Sequence, residues 1–414
     1  MNITDKLFRS NKVIKINKEF EDEHLVKFMT KFFVFAGIWK SGNDHQHNSM
    51  VAIFNLTVLT VAFLSISYMF ILKYNDIDMN TEILLHFVEI FHTICTQIML
   101  IWKRQNVARL AEVFTISLDR MDLPVNDRQS CVLILRKEQD SFLRVMKMAF
   151  AAIVSVYISV IIDSNAFLVF GNQKLLYPTW FPFDTDVNHI WFYYLAVVFQ
   201  LLVYIELLFV DLAAVGLWYG TINSVSGMLH ILGMCFQEEE EPSGANKTKC
   251  LVDFHNRMKE LIKDLNLSVG IIFLEVVLTS QIAICFCGFH VVQAIYTRES
   301  TRLFKFFIGV GVFTLMLFVY CTSGQKLINK SEDLHNNLYF CQWYERSKTF
   351  KRTIYFCQTN TMRPLVIDGT LMIPANLQTF VHASISKDNT VIVVVHNTIT
   401  LHSILYAMQH LLSH

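Results

Sequence analysis

Six predominantly apolar runs, near residues 51–72, 83–102, 148–170, 190–219, 269–296 and 306–323, are each long enough to cross a bilayer. A membrane core takes roughly 17–25 residues of helix. Within it every backbone amide and carbonyl must be paired inside the segment, so only helices or closed barrels can span. A seventh run lies between 376 and 412, so the expected fold is all-α, with seven transmembrane helices. Charge agrees: 17% of the 414 residues are charged, against about a quarter in soluble proteins.

The placement of charge predicts orientation. Lys and Arg number 8 in the N-terminal tail, and 9, 5 and 7 in the loops after spans two, four and six, which is 29 of 35. Such an excess marks cytoplasmic loops. The N-terminus, a tail over residues 1–50, is expected inside and the C-terminus outside. The first forty residues are charged throughout, so the first span is expected to serve as the signal anchor. The five glycosylation sequons, at Asn2, Asn55, Asn246, Asn266 and Asn329, fall on the expected inner side or within a span, and no outer-loop disulfide is expected. This topology is opposite to that of a G-protein-coupled receptor. Asp119-Arg120-Met121 reads as a charged triplet of an inner helix, and no G protein is expected.

The outer loops, about 73–80, 171–189 and 297–305, are too short to fold into a binding domain. A ligand must therefore be small and enter the bundle. The inner segments are long and helical in pattern. Leu110, Val113, Phe114 and Leu118 recur at helical spacing in one, and Leu327, Leu334, Leu338 and Cys341 in another.

Equal numbers of Lys+Arg and Asp+Glu, 35 each, give no reason to expect nucleic acid. No His-Glu-x-x-His, Walker or Gly-x-Ser-x-Gly motif occurs. The chain reads as no enzyme, with no metal and no cofactor. Gly309 and Gly311 read as helix contacts. Glu89, His92, Asp163, Glu206, Asp211 and Glu275 lie inside spans, where each charge costs about 2.5–3.5 kcal/mol. Each is expected to face a partner, a cavity or another subunit. Phe87, Phe91, Tyr157, Phe199 and Phe307 are candidates for lining a pocket that holds a small hydrophobic ligand by dispersion and shape.

Several motifs resemble those of insect odorant receptors. Tyr320-Cys321, Gly324, Ser331, Tyr339, Trp343 and Tyr344 follow the family pattern at the inner end of span six. Arg363-Pro364-Leu365, Leu377, Thr379 and Phe380 continue it. Gly37-Ile38-Trp39 is similar to a Gly-x-Trp before span one. The string from Tyr177 through Pro178 to Asp184 is similar to the family's second outer loop, and Asp211 to an acidic position in span four. Lys40, Asn337 and Glu275 depart from the residues common there. The resemblance covers about residues 30–380, within a single transmembrane domain expected over 1–380. It implies the odorant-binding subunit of a non-selective cation channel, paired with an odorant co-receptor subunit in a hetero-tetramer. It places the chain in the plasma membrane of olfactory dendrites. The ligand pocket is implied in the outer half of the bundle, among spans two to six, with the last span lining the pore. A gustatory receptor of the same topology and a secondary transporter are the alternatives.

Residues 381–414 are atypical. Lys387-Asp388 falls near the middle of the expected last span, where two charges cost about 5–7 kcal/mol before any pairing. The segment therefore replaces that span or shifts it to 390–412. A splice form, a retained intron or an error in the gene model would account for such a tail, and transcripts crossing the codon for Phe380 should show a second ending.

Overall fold

A computed structural model describes residues 31–38, 49–73, 76–112, 127–164, 174–183, 190–237, 244–369 and 373–384. Among them the fold is all-α, with a lone antiparallel bridge between Asp368 and Pro374. The helices are α1 (Ser49–Leu72), α2 (Ile77–Trp102), α3 (Arg104–Glu112), α4 (Arg128–Ser164), α5 (Ile190–Gln237), α6 (Gly244–Thr297), α7 (Ser300–Phe340), α8 (Lys348–Thr361) and α9 (Leu377–Ser384). Six of these, α1, α2, α4, α5, α6 and α7, are long and apolar enough to span a membrane. The expected seventh span begins with α9, and its remainder, with Lys387, Asp388 and the 390–412 alternative, lies outside the described residues. So do Trp39, Lys40, Val113, Phe114, Leu118, the Asp119-Arg120-Met121 triplet, Asp184 and residues 1–30 of the N-terminal tail.

Two short connections mark one end of the bundle, called here the turn end. α1 closes at Leu72 and α2 opens at Ile77, while α6 passes to α7 through Arg298-Glu299 alone, with Arg298 left-handed at φ 59°. The sequence reading placed 297–305 in a loop; the helix instead starts at Ser300 and carries Arg302 and Lys305 inward. Charge did not exclude them, because each finds partners. Asp76 caps α2 by accepting from the Met79 amide at 3.1 Å.

At the other end, the extension end, helices do not stop where the apolar runs stop. α5 has 48 residues and α6 has 54, roughly 72 and 81 Å at 1.5 Å per residue. A bilayer core needs roughly 30 Å. Much of the expected inner loops thus continues the spanning helices. Their apolar positions keep helical spacing: Ile222, Val225, Leu229, Leu232 and Phe236 of α5 are all buried, as are Leu327, Leu334 and Leu338 of α7. Asp127 starts α4. Its carboxylate accepts from the Ser130 hydroxyl and the amides of Ser130 and Gln129, which together hold its pKa below the ordinary value.

α7 is the central packing element, touching α4, α5, α6, α8 and α9. Two glycines are dictated by close approach. Gly37 has φ +76°, and a Cβ there would lie 2.5 Å from the Ala52 nitrogen. At Gly324 of α7 a Cβ would overlap the Ala375 carbonyl oxygen. The segment before α9 therefore lies directly on the α7 backbone. A Cβ at Gly309 would meet Cys287 Sγ at 3.1 Å, as at a helix contact, but one at Gly311 would meet nothing within 4 Å.

Candidate ligand cavity and its polar network

α2, α5, α6 and α7 enclose a cavity. Leu85, Val88, Glu89 and His92 face it from α2; Asp211, Ala214 and Val215 from α5. Val276, Thr279, Ser280 and Ala283 of α6 and Phe313, Met316 and Tyr320 of α7 complete the wall. Each set repeats at three or four residues, so one stripe of each helix points inward. Space free of protein atoms is about 590 Å³, open solvent included, which restricts an occupant to a small molecule. The cavity lies deep: Glu89 is roughly 18 Å along α2 from the turn end and Asp211 roughly 32 Å along α5, at 1.5 Å per residue.

Four of the ionisable residues singled out by sequence converge here. His92 Nε2 lies 3.9 Å from Asp211 Oδ1 and His92 Nδ1 lies 3.5 Å from Glu275 Oε1. These are ion-pair separations, too long for good hydrogen bonds. Accordingly Asp211 Oδ1, Glu275 Oε1 and His92 Nδ1 are shut from solvent with no hydrogen bond formed. Glu89 pairs with His86 at 3.3 Å. Glu206 is not drawn into the cluster, and its Oε2 is buried without a hydrogen bond.

A second network closes the turn end. Lys305 Nζ of α7 meets Glu82 Oε1 at 2.5 Å and Asp163 Oδ2 at 3.0 Å. Thr301 donates to Asp163 at 3.0 Å. Arg302 and Thr81 each reach His290 at 3.1 Å. Sequence reading found Asp163 but missed Glu82, one residue outside the assigned span, and Lys305, assigned to a loop. Gln200 of α5, also missed, pins the loop around Pro178. It accepts from the Leu176 amide at 2.9 Å and donates to the Tyr177 carbonyl at 2.8 Å and Thr179 Oγ1 at 2.7 Å.

The five aromatic candidates stand elsewhere, and none lines the cavity. Phe87 and Phe91 turn towards α1, where Phe63 lies 4.6 and 6.1 Å from them. Tyr157 stacks on Tyr204 at 4.6 Å, and Phe199 meets Phe181 edge-on at 6.0 Å. Phe91 and Phe307 are 49% and 67% exposed, on the outside of the bundle. Helical phase is the reason. Phe87 and Phe91 each stand two residues from Glu89 in α2, roughly 200° around a helix of 3.6 residues per turn. That is the face opposite the cavity wall. Residue type and depth alone could not show this.

Most of the motif residues cluster at the extension end of α7 and beyond. Tyr320 is buried against Trp218 at 5.3 Å and also walls the cavity; Cys321 beside it is buried. The Leu365 amide, following Arg363 and Pro364, donates to Ser331 Oγ at 3.0 Å. Thr379 donates to the Pro374 carbonyl at 2.6 Å, and Phe380 meets Phe318 edge-on at 5.3 Å. Trp343 packs on the main core, whereas Tyr339 is exposed.

The "7tm Odorant receptor" family matches residues 76–384, about three quarters of the chain. Among individual proteins, odorant receptor 49a of Drosophila melanogaster is 25% identical over 142 residues, covering 34% of this chain and 35% of that protein. Odorant receptor 9a of the same organism is 31% identical over 110 residues, covering 27% of each. The aligned stretches thus span about a third or less of these relatives' lengths. Among solved structures, the insect olfactory receptor OR5 of Machilis hrabei in complex with eugenol superposes with a TM-score of 0.80 at 15% identity. That match covers 91% of this chain and 100% of the other. It shows a shared fold.

Proposed function

The chain belongs to the odorant receptor family, a multi-pass plasma membrane protein, and from that premise we propose that it is the odorant-binding subunit of a ligand-gated, non-selective cation channel. Its ligands are small volatile or lipophilic molecules. One observation carries the reading: the span-length helices α2, α5, α6 and α7 enclose a small-molecule cavity in the bundle interior. The relative with the same fold is described in complex with eugenol. The partner is an odorant co-receptor subunit in a hetero-tetramer. Supporting this, Tyr339, Phe340, Tyr344, Tyr355 and Phe356 are large apolar side chains exposed at the extension end, of the kind that subunit contacts cover. The positive-charge bias supports a cytoplasmic extension end and an outer turn end. No observation favours a gustatory receptor or a transporter.

Cells expressing the chain together with the co-receptor should pass inward cation current when a panel of neutral volatiles is applied. Cells expressing this chain without the co-receptor should stay silent to the same panel. Silence of the pair with both subunits at the surface would overturn the reading. An epitope at residue 2 should be stained only after permeabilisation; staining of intact cells would reverse the orientation.

A further inference from the structure

We propose that the cavity takes a small protonated amine carrying an apolar body, an inference that rests on the ligand-binding reading above and names the class of ligand. The charge count is its ground. Three carboxylates, Glu89, Asp211 and Glu275, meet two imidazoles, His86 and His92, at and around the cavity. No Lys or Arg is among the lining residues. Lys305 is already held between Glu82 and Asp163. Even with both imidazoles protonated, one negative charge remains without a counter-ion among the described residues. Deep burial penalises such a charge unless a cation or a proton joins it.

Geometry selects the cation. Asp211 faces the cavity, and its Oδ1 is buried with no hydrogen bond. At 3.9 Å from His92 it has an ion-pair neighbour but no donor. An ammonium in the cavity would pair with the Asp211 carboxylate, whose side chain keeps 21% exposure, with Glu89 lining the same cavity. Phe313 and Tyr320 supply aromatic side chains on the α7 side of the wall, suited to a cation or an aryl group. Val88, Ala214, Val276 and Met316 leave the rest of the wall apolar. A neutral odorant of the same shape would fill that apolar part and leave the carboxylate as it is.

The test compares 2-phenylethylamine with its neutral isostere 2-phenylethanol. Binding is read as the thermal stabilisation of the purified full chain in lipid nanodiscs. Gating is read as current in cells that also carry the co-receptor. The amine should bind at a concentration at least about tenfold lower than the alcohol, as expected for a buried charge pair. In Asp211→Asn the amine-to-alcohol ratio should fall to about one, and in Glu89→Gln it should fall part of the way. The second variant decides the matter if the first does not fold. Equal affinities for the two compounds in the unaltered chain, or an unchanged ratio in the folded variants, would overturn the inference. Currents evoked by neutral volatiles without amine preference would keep the channel reading and remove this one. Amine binding that never yields current with the co-receptor would do the reverse.

Discussion

Along α5 two regions of one helix live in different surroundings. Trp191, Phe192, Leu195, Val198, Leu202 and Ile205 are exposed at mostly three- and four-residue spacing, one stripe turned outwards from the bundle. From Leu207 to Phe236 no residue is exposed. The turn half of the molecule is held by an aromatic and aliphatic cluster that includes Tyr177, Tyr193 and Tyr204, and by the Lys305 network. The extension half is held by one large core in which α4, α5, α6 and α7 surround Trp218, Phe273 and Tyr320. Polar contacts there serve that core. Trp218 donates to Ser323 at 2.8 Å, Lys326 bonds Glu138 and Asn223, and Asn106 donates to Ser268 at 3.0 Å. The difference teaches where rigidity resides. The extension half of α5 is enclosed by its own chain, whereas the turn half leaves an apolar outer stripe for lipid or another subunit.

The comparison is broken most severely at Trp218. Its side chain is fully buried, stacked 5.2 Å from Phe273, so Trp218→Ala should cost about 3–5 kcal/mol. Size-exclusion profiles of detergent extracts should show most of the folded protein lost. A normal profile would mean that the extension half is not the stabilising one. Next comes Lys305→Met, which strands Glu82 and Asp163. Those carboxylates retain 17% and 15% exposure, so the cost is set below that of a fully buried pair, at about 2–3 kcal/mol. Adding Glu82→Gln should recover part of the lost thermal stability. If the double variant is as unstable as the single, the network does not act as a unit.

Smaller effects sharpen the boundary. Gln200→Ala removes three hydrogen bonds from the loop around Pro178 and should cost about 1–3 kcal/mol. Its signature is local: protease applied to intact cells should cut within 174–183 faster, while the thermal midpoint of the extension half stays in place. Uniform destabilisation would show that the loop belongs to the global core. Phe307→Ala should change stability by less than about 0.5 kcal/mol, as exposed sites do. It should also leave ligand potency unchanged, since the side chain points away from the cavity. A potency shift at Phe307 with surface expression intact would restore it as a pocket residue.

Much of this was legible in the sequence, and the limits have physical causes. Apolar length announced six spans because membranes impose it. It could not announce where α5 or α6 ends, because a helix that leaves the bilayer for a protein core keeps the same apolar spacing. Buried charges were legible as needing partners, and Glu89, His92, Asp211 and Glu275 do converge. Which of them meet was not, since pairing across helices depends on rotation about axes that the sequence leaves open. The same rotation put Phe91 and Phe307 on the outside. Lys305 was hidden by its charge, which reads as a loop signal until two carboxylates on other helices are seen beside it. Ser331 and Leu365 were both picked out as motif positions, 34 residues apart; their hydrogen bond at 3.0 Å explains why both belong to one pattern.

α7 is a wall shared by two compartments. One side carries Phe313, Met316 and Tyr320 against the cavity. Phe318, between them in sequence, meets Phe380 of α9, and the Leu377 amide donates to Gln325 at 3.4 Å, two turns further along α7. Gly324 lets the strap before α9 lie on the same helix without a spacer. The cavity and α9 are therefore separated by a single thickness of α-helix, like two rooms with one wall between them.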